Sequence, residues 1–130
     1  MLKEYCLWES QKLPLDAVKV KVARPSVLGV PKDLWEKWQR REISWKDYER
    51  AYLHWVREYD RAWNRLALIA LMAKESWPDG RGRDVYLGCY CRRMPCHRFT
   101  LLTFLVTTWG CQADPGAVMK YRGYLDPERR

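Results

Sequence analysis

From Ser44 to Trp77 the chain contains neither glycine nor proline, and this uninterrupted stretch constrains the fold more than any other feature. It opens on Ser44-Trp-Lys-Asp47. The serine hydroxyl can cap a free backbone N–H, and Asp47 can take part of the return role usually played by Glu or Gln. Tyr48, Ala51, Tyr52, Trp55, Val56, Tyr59 and Trp63 then fall at helical spacing. The pattern predicts one long or two consecutive helices from Trp45 to Lys74. Leu66–Ala73 is apolar on every side and is expected to be buried.

A strand signal lies on each side of this stretch. Ala17-Val-Lys-Val-Lys-Val22 alternates apolar and charged residues, the period of a strand with one wet face. Asp84–Tyr90 is short, mostly apolar and bounded by turn residues. Between the first strand and Ser44, Arg24-Pro-Ser26 and Leu28-Gly-Val-Pro31 read as a loop. Pro31 suits the first position of a short helix striped by Leu34, Trp35 and Trp38 and closing near Arg41. Pro78-Asp-Gly-Arg-Gly82 marks a loop before the second strand, and Arg92–Pro95 a tight loop after it. A helix is expected from Cys96 to Trp109, with Leu101, Leu102, Leu105 and Val106 facing inward. Tyr5–Trp8 reads as a short strand, and the chain as irregular after Gly110.

The order strand, helices, strand, helix implies an α/β fold: a small three-layer domain with a mainly parallel sheet and a long helical segment between the two clear strands. At 130 residues one domain is expected, with an N-terminal arm (1–16), a core (17–109) and a C-terminal extension (110–130). Two strands are too few for a sheet, so the arm, the tail or a partner chain must add to it.

Composition narrows the class. With 48% hydrophobic residues, eight Trp and eight Tyr, the chain is not of the disordered kind. Met1 to Ser10 has no apolar core segment, so no secretory signal is expected there. No apolar run is long enough to span a bilayer, and a soluble, cytoplasmic protein is expected. The net charge of +8 favours nucleic acid, nucleotides or acidic proteins as partners. Five cysteines, three of them crowded into one segment, argue for free thiols, a metal site or a redox site over a disulfide framework.

Ligands of open α/β sheets sit beyond the carboxyl ends of the strands. There the first strand delivers Arg24 and Ser26. The second delivers Cys91, Arg92 and Arg93, then Cys96, His97 and Arg98 at a helix start. A helix N-terminus favours anions and lowers a thiol pKa. Arg24, Arg93 and Arg98 are therefore the candidate anion-binding residues, and Cys96 and His97 the candidate catalysts. Neighbouring helical residues point about 100° apart, so His97 need not serve Cys96 as base. Cys91-x4-Cys96-His97 with Cys89 or Cys111 offers soft zinc ligands, but it lacks the usual two-residue gap and a second Cys pair. Cys89 and Cys91 would share the core face of the strand. No metal and no other cofactor is expected. The sequence has no P-loop, no G-x-G-x-x-G and no His-Glu-x-x-His.

Two stretches carry a resemblance. Ala23-Arg-Pro-Ser26 is followed by Glu42-Ile-Ser-Trp-x-x-Tyr48-x3-Tyr52, and Val85–Arg98 is an apolar strand ending in Cys, then a loop and Cys-His-Arg opening a helix. Together they resemble the family labelled domain of unknown function 488, over about Val18 to Trp109. Members often carry an acidic residue where this chain has Cys91. The Cys89-x-Cys91-x4-Cys96-His97 pattern is also similar to a neighbouring uncharacterised family with a Cys-x-Cys and Cys-His signature. The resemblance implies a compact three-layer α/β fold and a pocket lined by Arg24, Cys89, Cys96, His97 and Arg98; it implies no particular reaction.

Two functions follow as expectations. One is an enzyme acting on a nucleotide or nucleic acid, with the anion held at the Cys-His-Arg helix start. The other is a non-catalytic binding or regulatory protein that docks nucleic acid or a transcription-type protein partner through its basic, Trp-rich surface.

Overall fold

A computed structural model of the chain describes residues 1–74, 84–92 and 94–126. The chain forms a small α/β domain. Its elements are β1 (Leu2–Cys6), a 3-10 turn (Leu7–Lys12), β2 (Val18–Lys21), α1 (Lys32–Gln39), α2 (Trp45–Glu58), α3 (Asp60–Lys74), β3 (Val85–Cys89), α4 (His97–Trp109) and α5 (Pro115–Leu125). The N-terminal arm supplies the missing strand. The three strands form one parallel sheet in the order β1-β3-β2, with Leu2 opposite Val85 on one side and Val18 opposite Val85 on the other.

β3 is the central strand, and all five of its residues are buried. Val85, Leu87 and Cys89 face the main core with Leu2, Val22 and the buried residues of α2, α3 and α4. The opposite face is aromatic and basic. There the ring of Tyr5 meets that of Tyr86 edge to face, and the Lys3 ammonium sits over Tyr86.

The long Gly- and Pro-free stretch resolves into two helices. Ser44 caps α2 as the sequence predicts, its hydroxyl accepting from the Asp47 N–H at 3.1 Å. The break comes at Tyr59, which is extended (φ −98°, ψ 104°). Within α3, Leu66, Ile69, Ala70 and Ala73 are buried, whereas Leu68 and Leu71 are exposed. The expectation of burial all round is thus corrected: α3 packs with one face only. Pro31 is the N-cap of α1, one residue before the predicted position.

The segment after Gly110 is a second correction, because it joins the core. Leu2 bridges to Ala113, with its N–H donating to the Gln112 carbonyl and its own carbonyl accepting from Asp114. α5 starts on an Asp114 cap with proline in its first turn. It buries Tyr121, whose hydroxyl accepts from Trp45 Nε1 at 3.1 Å and donates to Glu49. Thr100 of α4 donates to the same carboxylate at 2.6 Å. This polar network ties α2, α4 and α5 together, and each member finds a partner as buried polar groups require. Among the described residues, no helix is long and apolar enough to cross a membrane.

Candidate functional site

β2 and β3 run parallel and end side by side, so the residues that follow them converge. Val22 still pairs with β3 through its N–H to the Gly88 carbonyl, at 2.8 Å. After it, Ala23 and Arg24 leave the sheet next to Tyr90 and Cys91. Between these ends, α1 and the start of α2 lies a cavity of about 390 Å³. Arg24, Cys89, Cys91, Cys96 and His97 line it together with Trp35, Trp38, Trp45 and Tyr48. A second cavity of about 430 Å³ opens beyond Arg24, with Lys32, Arg61 and Arg65 beside Trp55 and Tyr59. Arg24 borders both, and its guanidinium lies 4.9 Å over the Trp35 ring. Gly29 keeps Arg24 in place. A Cβ there would come within 2.8 Å of the Arg24 Cα and 2.9 Å of its N.

The three thiols of Cys89, Cys91 and Cys96 cluster, their Sγ atoms all within 4.8 Å of one another. The Cys89 and Cys91 sulfurs are 3.8 Å apart. Cys91 is exposed, not a core residue as expected. β3 stops at Cys89, and beyond a strand's end the two-residue alternation no longer holds. Cys89 and Cys96 are buried.

His97 stands against this cluster. Its Nδ1 lies 3.9 Å from the Cys89 sulfur and 3.8 Å from the Cys96 sulfur. Its Nε2 lies 2.7 Å from the Val22 carbonyl. A carbonyl can only accept, so Nε2 carries a proton; in the neutral imidazole Nδ1 then presents a lone pair to the thiols. The Tyr52 ring meets the imidazole edge to face at 5.5 Å, and Tyr52 is itself anchored by its hydroxyl to the Leu28 carbonyl. Cys96 and His97 do converge, contrary to the angular argument from a helix. Cys96 is the N-cap, with extended backbone (φ −146°, ψ 141°), so the helical offset does not apply between them.

The thiol electrostatics differ from expectation. Hydrogen bonds from Cys91, then Cys96, and the nearby His97 push the Cys89 thiol far down, against the effect of burial. Cys96 is pushed far up by its hydrogen bonds with Cys89 and Cys91 and by burial, and Cys91 is raised, first by Cys89.

Arg98 is not turned to the cavity. It is 3% exposed; Nε donates to Glu4 at 2.8 Å and Nη1 to the Cys91 carbonyl at 2.6 Å. Its expected role in holding an anion is replaced by an internal ion pair that ties α4 to β1 and to the Cys91 loop. Arg93 lies outside the described residues. Of the two candidate anion-binding residues that are described, Arg24 is the one at the cavity. Lys32, Arg61 and Arg65 were not singled out from the sequence. Arg61 and Arg65 fall one helical turn apart on the same stretch as Trp55 and Tyr59, a spacing that could have revealed them.

No family model, no curated protein and no solved structure matches the chain.

Proposed function

We propose that the protein binds a phosphate-bearing, planar-ring ligand: a nucleotide, free or as one unit of a single strand. The observation that carries this reading is the position of Arg24 between an aromatic cavity and a basic one. The ring stacks among Trp35, Trp38 and Tyr48, because every base has a face that aromatic side chains can receive. Arg24 takes the first phosphate at the rim, with a planar fork that suits phosphate oxygens. Lys32, Arg61 and Arg65 continue the positive path, consistent with the +8 net charge. The cavity's place beyond the ends of parallel strands agrees with where α/β sheets hold ligands.

Calorimetric titration of the full chain tests this with four ligands: a nucleoside monophosphate, the matching nucleoside, inorganic phosphate and a short single-stranded oligonucleotide. The monophosphate is expected to bind more tightly than either of its halves. An Arg24→Ala chain is expected to bind it about tenfold more weakly or worse, the scale of one charge-assisted hydrogen bond. Tighter binding of the oligonucleotide, lost with Arg61→Ala or Arg65→Ala, would identify the single strand as the source. Failure of both phosphorylated ligands to bind, or binding indifferent to Arg24→Ala, overturns the reading.

A further inference from the structure

We propose that Cys89, Cys91, Cys96 and His97 hold a single zinc ion in a three-sulfur, one-nitrogen site at the floor of the aromatic cavity. Two thiolates each about 2.3 Å from a tetrahedral zinc stand about 3.8 Å apart, and a thiolate and an imidazole nitrogen stand about 3.5 Å apart. The Cys89 and Cys91 sulfurs are 3.8 Å apart. Nδ1 of His97 is 3.9 Å and 3.8 Å from the Cys89 and Cys96 sulfurs. These contacts sit near the edge lengths of one coordination tetrahedron. The other two sulfur pairs stay within 4.8 Å, so small side-chain rotations would complete the tetrahedron.

The histidine adds an independent observation. A ligating histidine ordinarily donates its other ring N–H to a carbonyl or carboxylate, which fixes its tautomer and its plane. Here Nε2 meets the Val22 carbonyl at 2.7 Å, and the edge-to-face contact with Tyr52 holds the ring. The lone pair is thereby aimed at the thiols before any metal arrives.

Ligand chemistry selects the ion. Thiolates with an imidazole suit zinc and do not suit magnesium or calcium, which take oxygen. Three thiolates and one divalent ion leave one net negative charge. Arg98, paired with Glu4, is bonded to the Cys91 carbonyl and fixes the backbone of that ligand. Cys91 is exposed and lines the cavity, which supplies an entry path. Bound there, zinc would fasten the end of β3, the following loop and the first turn of α4 to one point. Cys96 and His97 would then be ligands and not catalysts. The inference is independent of the nucleotide reading, since the ligands lie on the β3–α4 segment and use neither Arg24 nor the tryptophans.

Elemental analysis and zinc-edge X-ray absorption on the full chain, purified without chelator, test it. One zinc per chain is expected, with three sulfurs at about 2.3 Å and one nitrogen at about 2.0–2.1 Å. Cys91→Ser is the variant of choice because Cys91 is exposed and its loss leaves the core intact, which circular dichroism would verify. It is expected to weaken zinc binding by more than the roughly 10–100-fold that losing an outer-shell partner costs. Cys111→Ala, which changes a buried thiol outside the cluster, is expected to keep its zinc. Less than a tenth of an equivalent in the wild-type chain after incubation with zinc chloride would overturn the proposal. So would a metal shell without sulfur, or equal loss of zinc in both variants.

Discussion

Gly88 shows how much a single residue decides in the central strand. A Cβ at this position would lie 2.3 Å from the Tyr5 ring, which sits directly across from it in the parallel register. Tyr5 is itself buried, so the ring has little room to withdraw. Gly88→Ala is expected to destabilise the chain by about 1–3 kcal/mol, the ordinary cost of overpacking, measurable by urea unfolding. Glu49 gives a pH-dependent expectation. Burial raises its pKa above the usual 4.5, so the fold binds its proton more tightly than the unfolded chain does. Its contribution to stability is full below about 4.5 and is lost as pH rises through the raised folded value. Glu49→Gln keeps an acceptor for Thr100 and Tyr121. Its stability relative to wild type should therefore rise with pH across that window; an unchanging difference would contradict the assignment. Cys96 and His97 illustrate what sequence reasoning could and could not reach at this scale. Their types and adjacency were legible, but whether they converge depended on the backbone of one capping residue.

At the scale of elements, the helices and strands with strong periodicity or clear caps were legible, and weaker signals were not. Ser44 capped α2 as its sequence context implies. α5 carried an equally good start, Asp114-Pro115, but its apolar positions are sparse. Only Ala117 and Tyr121 are buried, too few to show a stripe. Asp114→Ala is expected to cost about 1 kcal/mol through loss of the cap on the Ala117 N–H, read from thermal or urea unfolding. The junction of β1 and α4 makes a larger prediction. Glu4 is the carboxylate partner of a nearly fully buried guanidinium. Glu4→Gln leaves that charge without its counter-ion and should destabilise by about 2–4 kcal/mol, somewhat less than breaking a fully enclosed pair because Glu4 is 20% exposed. A loss below about 0.5 kcal/mol would mean that the pair behaves as a surface one.

For the whole molecule, the α/β class and the mainly parallel sheet were legible in the element order, because a parallel pair needs a crossover and the helical segment between the two strands supplies one. The source of the third strand did not follow, since Leu2–Cys6 is too short and mixed to signal its edge position. The place of the candidate site, at a cavity beyond the strand ends, was legible from where open α/β sheets hold ligands. Its composition was not. The sequence put weight on Arg98, which the fold spends on Glu4, and discounted Cys91, which the end of β3 releases toward the other thiols. Basic residues on α3 entered only when folding set them beside Arg24. Zinc at the proposed site would hold the end of β3 and the start of α4 as one unit. Thermal unfolding of the wild-type and Cys91→Ser chains, each with saturating zinc and with excess chelator, tests it most directly. Zinc at about a thousand times its dissociation constant stabilises by about 4 kcal/mol, or roughly 15 °C for a chain of this size. The account predicts a shift of that order between zinc and chelator for the wild type and almost none for Cys91→Ser. Identical midpoints for the wild-type chain in zinc and in chelator would contradict it.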